Sequence, residues 1–136
     1  MGVWNRSKKL GLLFDSSAGF RLKNGALKSP DLSWVSKEKW KQLTKDEKQG
    51  FADICPAFVL ELKSDSDNLA TFKDKMLEYI ANSTQLAWLI DRDNQDVYIY
   101  RADGSISIQH SFDEKVSGEN ILPDFELDLD ILKEEI

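Results

Sequence analysis

The 136-residue chain contains one cysteine and one histidine. Cys55 alone cannot form an internal disulfide or a thiolate cluster, and His110 alone cannot build a histidine-rich centre. Any bound metal must be held by oxygen, which selects hard divalent ions. No uncharged apolar run approaches the roughly 20 residues that cross a bilayer. The start, Met1-Gly2-Val3-Trp4-Asn5-Arg6, lacks a signal-peptide core. These absences predict a chain without a membrane partner and with a cytoplasmic home. A glycine-rich phosphate loop, a dinucleotide fingerprint, an internal repeat and a low-complexity linker are all missing as well.

What is present suffices for a core. Hydrophobic residues make up 41% and charged residues 31%, and the length suits a single domain over residues 1–136. The net charge of −6 argues at first against a nucleic-acid partner. Its distribution changes that reading. Residues 1–48 carry 11 Lys/Arg against 5 Asp/Glu, residues 49–123 carry 6 against 13, and residues 124–136 carry 1 against 6. The acidic tail alone accounts for −5 of the total, which therefore does not exclude DNA.

Asn24-Gly25, flanked by Gly19-Phe20-Arg21-Leu22 and Ala26-Leu27, is a hairpin signal whose second arm is expected to run on through Ser29-Pro30-Asp31 to Val35. Ser36 can cap a short helix over 37–42, and Thr44 a further turn toward Gly50. Ala57 to Lys63 is a compact apolar run behind Pro56 and reads as a buried strand. Asp67 or Ser66 is expected to cap a helix with Leu69, Phe72, Met76 and Ile80 at helical spacing, ending near Asn82-Ser83. Leu86 to Ile90 is a second buried strand. A strand, a helix of about four turns and another strand predict a βαβ crossover with the two strands parallel. Val97–Tyr100 and Ser105–Ile108, joined at Asp103-Gly104, form a hairpin, and residues 122–130 alternate apolar with acidic. The fold class is α/β, in the α+β sense: a central mixed sheet with one crossover helix and a small helical insert.

An acidic residue, any residue, then lysine occurs three times, so the pattern by itself is uninformative. Only Glu61-Leu62-Lys63 lies in an apolar strand, where the period of two puts Glu61 and Lys63 on one face with Val59. Charges there are costly unless paired or bound to a cation. One reading is an intrastrand ion pair at an exposed strand end. The other adds Asp31, which Pro30 places on a strand or its lip where it can face Glu61. Two carboxylates would then suit Mg²⁺ or Mn²⁺, with Lys63 beside them to orient water and offset phosphate charge. An ordinary Asp-containing turn is the alternative use of Pro30-Asp31.

In this order and context the residues resemble the Uma-two (Uma2) family of restriction-endonuclease-like proteins, within the PD-(D/E)XK nuclease superfamily. The likeness rests on Gly19-Phe20-Arg21-Leu22 with Asn24-Gly25, on Ser29-Pro30-Asp31 with Ser33-Trp34-Val35, and on Pro56 through Glu61-Leu62. It continues through Lys75-Met76 with Glu78-Tyr79-Ile80, Trp88-Leu89-Ile90-Asp91, Val97-Tyr98-Ile99-Tyr100-Arg101, and Leu122-Pro123 with Phe125. The resemblance implies a restriction-endonuclease-like core that hydrolyses DNA phosphodiesters with a divalent metal. Asp31 would match the first motif aspartate, Glu61 the second acidic ligand and Lys63 the motif lysine. Lys75 matches a lysine that recurs in the family and is expected either to point at the site or to sit on a solvated helix face. Family members carry an upstream segment that this chain is expected to lack, which would uncover part of the sheet and favour a homodimer.

Lys37-Glu38-Lys39-Trp40-Lys41 with Lys45 and Lys48 can be a phosphate-contacting patch or a solvated helix with Trp40 and Leu43 turned inward. Cys55 reads as a small buried hydrophobe and His110 as a surface residue at a strand end. Two functional readings stand: a metal-dependent endonuclease, and a catalytically inactive nuclease-fold module that binds nucleic acid or protein.

Overall fold

The computed structural model describes residues 1–133. In chain order the elements are α1 (Gly2–Lys8), β1 (Gly11–Asp15), β2 (Gly19–Arg21), β3 (Leu27–Lys28), β4 (Leu32–Ser36), α2 (Lys37–Lys41), β5 (Phe51–Ala52), β6 (Phe58–Lys63) and α3 (Leu69–Ala81). They continue with β7 (Leu86–Asp91), β8 (Asp96–Arg101), β9 (Ile106–Gln109), β10 (Val116–Ser117), β11 (Glu126–Leu127) and α4 (Asp130–Lys133). Six strands form one sheet in the order β1-β4-β6-β7-β8-β9. Only β6 and β7 run parallel within it, in a register that pairs Phe58 with Leu86 and Lys63 with Asp91. That pair requires a crossover, and α3 supplies it.

Every residue of β7 is buried, which explains its unbroken apolar run. Alternation along β6 divides the core between two faces. Phe58 and Leu60 join Trp34, Trp88 and Ile90 on one face, which Phe112, Leu122, Phe125 and Leu129 cover from the C-terminal segment. Trp4 of α1 closes that layer, lying 5.8 Å from Phe125 and donating its indole N–H to the Pro123 carbonyl at 2.8 Å. Val59 joins Val35, Leu89 and Tyr98 on the other face, packed against Met76 and Tyr79 of α3 and Phe20 of β2.

The crossover helix starts at Asn68, whose side chain accepts from the Thr71 N–H at 3.1 Å. Neither Ser66 nor Asp67 is the cap. Asp67 instead closes the preceding turn by accepting from the Ser64 N–H at 2.9 Å and its hydroxyl at 2.7 Å. The Asn24-Gly25 hairpin forms as expected between β2 and β3, with Gly25 at φ +87°. Its second arm does not continue unbroken to Val35, however. β3 belongs to a separate three-stranded sheet, β3-β2-β5, and the chain passes at Ser29-Pro30-Asp31 into β4 of the large sheet. Residues 122–130 keep the expected alternation, burying Leu122, Phe125 and Leu129, but only β11 pairs as a strand. Ser36 caps α2 through the Lys39 N–H at 3.3 Å, giving the helical insert.

β1, which the sequence patterning does not signal, pairs with β4 along its whole length. Gly11 opens it because a Cβ there would run into the Trp34 ring and the Val35 carbonyl. Gly11→Ala should therefore destabilise the fold by about 2 kcal/mol through overpacking. A thermal or denaturant transition checks this, and an unchanged midpoint would contradict the packing described.

Candidate functional site

The site is built where β4 enters the sheet beside β6. The antiparallel register pairs Leu32 with Leu60 and Trp34 with Phe58, which carries Asp31 to the side of Glu61. Pro30 is buried and Asp31 is exposed at the lip. Each carboxylate is oriented by backbone from the other segment. The Asp31 N–H donates to Glu61 Oε1 at 3.1 Å, and the Leu62 N–H donates to Asp31 Oδ2 at 2.8 Å. Two strands thus hold two carboxylates in mutual register.

From above, α3 contributes Lys75 and Tyr79, four residues apart and so on one helical face. The Lys75 ammonium stands 2.5 Å from Glu61 Oε2. Tyr79, itself fully buried, donates its hydroxyl to the same oxygen at 3.1 Å. Glu61 is only 2% exposed, so its charge must be met inside the fold. Burial, reinforced by the neighbouring Glu61 charge, pushes the Tyr79 phenol far above its ordinary range, which keeps it a hydrogen-bond donor at any physiological pH.

Asp31, Glu61 and Lys75 are thereby brought together, while Lys63 is directed elsewhere. Its ammonium donates to the Ser64 carbonyl at 3.3 Å and lies 3.8 Å from Asp93. A hydrogen bond with Asp65 raises Asp93 above its usual range. Lys63 lines an open cleft with Asp65 and Arg92. Beside Lys75, a groove of about 420 Å³ is walled by Lys28, Thr71, Asp74, Lys75 and Glu78. There Lys28 is paired with Glu78 at 2.6 Å, and this contact together with one from Asn24 lowers the Glu78 carboxyl. Of these three lysines Lys75 touches the carboxylate pair, while Lys28 is paired with Glu78 and Lys63 with Asp93.

The donor set of Asp31 and Glu61 is all oxygen and suits a hard divalent ion that completes its shell with water and substrate oxygens. Among the described residues no group of three or more Asp, Glu, His or Cys side chains gathers to hold a metal. A pair of carboxylates still fits Mg²⁺ or Mn²⁺, since such ions are commonly bound through one or two protein carboxylates.

Other candidates resolve simply. Cys55 is half-buried with its thiol 3.0 Å from the Thr84 hydroxyl, and burial pushes that thiol up, away from a reactive thiolate. His110 is exposed at the end of β9, 2.9 Å from Asp96. Trp40 turns inward against Phe14 with Lys48 over its ring, whereas Lys37, Lys39 and Lys41 face solvent. Tyr79 is the site residue that sequence reasoning did not single out. Its signal was the four-residue spacing from Lys75 on a helix that packs over the Glu61 face.

A mixed sheet with one parallel pair, a crossover helix over one face and carboxylates from adjacent strands define a nuclease-like α/β fold. The chain belongs to the Uma2 family, described as "Putative restriction endonuclease", whose model matches residues 1–130. It is similar in structure to a protein of Anabaena variabilis described as a "putative nuclease belonging to DUF820". The two share 20% identity with a TM-score of 0.79, covering 96% of this chain and 74% of the other. No curated protein matches the chain. Among the described residues no helix is long and apolar enough to cross a membrane.

Removing the Tyr79 hydroxyl should leave Glu61 short of one buried donor. Tyr79→Phe is expected to lose about 2 kcal/mol of stability, the typical worth of a hydrogen bond to a charged group. Denaturant titration measures it, and a loss near zero would show that the hydroxyl does not support the carboxylate.

Proposed function

We propose that this protein is a Mg²⁺- or Mn²⁺-dependent deoxyribonuclease that hydrolyses phosphodiester bonds. The observation that carries the reading is the pairing of Asp31 with Glu61 across two strands, with the Lys75 ammonium on the buried member of the pair. Asp31 and Glu61 would hold the metal. When bound, the metal supplies Lewis-acid polarisation of the phosphoryl oxygen and a more acidic water.

The protein's own groups divide the remaining work. Tyr79 and the Asp31 N–H fix both oxygens of Glu61, so the ligand does not reorient as substrate arrives. Asp31 is exposed and leaves the open side of the pair to the substrate. Lys75 and Lys28, now paired with Glu61 and Glu78, line one groove, and from there each would offset charge on a phosphate of the backbone once released from its partner. Lys63, which follows Glu61 by two residues on β6, would have to leave Ser64 and Asp93 to reach a phosphate. The solvent-facing lysines of α2, past the other end of β4, would add positive charge for a DNA backbone.

The test is nicking of supercoiled plasmid together with the divalent-ion-dependent thermal shift, for wild type, Asp31→Asn and Glu61→Gln. Each substitution should reduce nicking on the order of 100-fold or more, a bound metal being worth several kcal/mol in such reactions. The thermal shift should fall with it. Nicking unaffected by both substitutions would overturn the site. A well-folded wild type with neither nicking nor a metal response would favour the non-catalytic binding module.

We also propose that the protein self-associates through β9. This strand is a sheet edge that carries Ile106 and Ile108, 50% and 46% exposed. Ile108→Lys should shift a sedimenting dimer to monomer, and an unchanged sedimentation coefficient would refute this contact.

A further inference from the structure

Glu61 has no oxygen without a partner. Oε1 accepts the Asp31 N–H, and Oε2 receives both Tyr79 and Lys75. A divalent ion entering beside Asp31 would meet a positive charge already seated on the carboxylate, and like charges at such separations repel strongly in a partly buried site. Oε1 keeps a lone pair that a cation could use. The ion therefore competes with the positive charge on the carboxylate rather than with its place, and the donor most easily moved off is the one that should yield. The Asp31 N–H is held by backbone, and Tyr79 is packed into the core with no solvent exposure. Lys75 alone has a flexible stem, a side chain 29% exposed, and open space beside it in the groove walled by Lys28 and Thr71. The Phe72 ring, 5.4 Å from its ammonium, supports the side chain on that route.

We propose that the Lys75 ammonium is the resident counter-ion of Glu61, that a divalent ion displaces it, and that the displaced ammonium turns into the Lys28 groove to meet an anionic ligand. The inference rests on the metal site proposed above and names its regulation: cation and ammonium occupy Glu61 in turn. In the metal-free protein Lys75 keeps a buried carboxylate satisfied. In the loaded protein the same charge becomes available to a phosphate oxygen.

The experiment is amine acylation of the intact wild-type protein with and without Mg²⁺, read by mass spectrometry at Lys75, with exposed Lys23 as internal reference. Mg²⁺ should raise Lys75 labelling several-fold relative to Lys23. Labelling that is unchanged or reduced at saturating Mg²⁺ overturns the proposal. Calorimetric titration with Mg²⁺ alone gives an independent arm. Lys75→Met should bind about tenfold more tightly than wild type, a difference of 1.4 kcal/mol, whereas Lys75→Arg should not. If Lys75→Met binds no more tightly while Glu61→Gln abolishes binding, the exchange is wrong and the metal site stands. If Glu61→Gln binds as wild type does, the metal site itself is wrong and the exchange falls with it. Should Lys75→Met fail to fold, the wild-type labelling decides.

Discussion

A carboxylate buried to 2% exposure in the sheet's central parallel pair is tolerable only when its charge is met from several directions. Glu61 is met by three: the Asp31 N–H from β4, the Tyr79 hydroxyl and the Lys75 ammonium from α3. They come from two separate registrations of the fold. The β4–β6 pairing sets the first, while the packing of α3 on the sheet sets the other two. Slipping β4 by one residue would turn Asp31 away and leave Glu61 with an unmatched oxygen. The candidate site and the architecture are thus one constraint.

Topology determines where that constraint falls. A parallel neighbour for β6 demands a crossover, and the crossover helix returns over the face on which Val59, Glu61 and Lys63 lie. The opposite face is closed by Trp4 and the C-terminal segment, which contribute apolar surface. One side of the sheet supports the molecule. The other carries the candidate site, toward the C-terminal end of a strand where open sheets commonly bind ligands.

The parts of this arrangement that could be read from the chain are those with local signals. β6 and β7 stand out as apolar runs, α3 as a helical spacing of large apolar residues, and β2–β3 and β8–β9 as turns at Asn24-Gly25 and Asp103-Gly104. α1, β1 and β5 gave no such signal. α1 buries no residue fully, β5 has two residues, and β1 depends on Gly11 fitting under Trp34, a contact made only after folding. The cap of α3 was displaced to Asn68 because Asp67 serves the turn before it, a competition between neighbouring hydrogen bonds that composition does not resolve. At the site, Glu61 and Lys63 stand out as charges in an apolar strand, Asp31 as the residue that Pro30 sets at a strand lip, and Lys75 through family likeness. The direction of Lys63 toward Ser64 and Asp93, and the role of Tyr79, depend on rotamers and packing across elements.

The proposed site differs from an inert ion pair in requiring that Asp31 and Glu61 share a divalent ion. Anomalous scattering from a crystal soaked in Mn²⁺ measures that directly. The expected result is a peak at Asp31 and Glu61, with the Lys75 ammonium moved off Glu61. A saturated crystal with no peak there, and Lys75 still seated on Glu61, would contradict it.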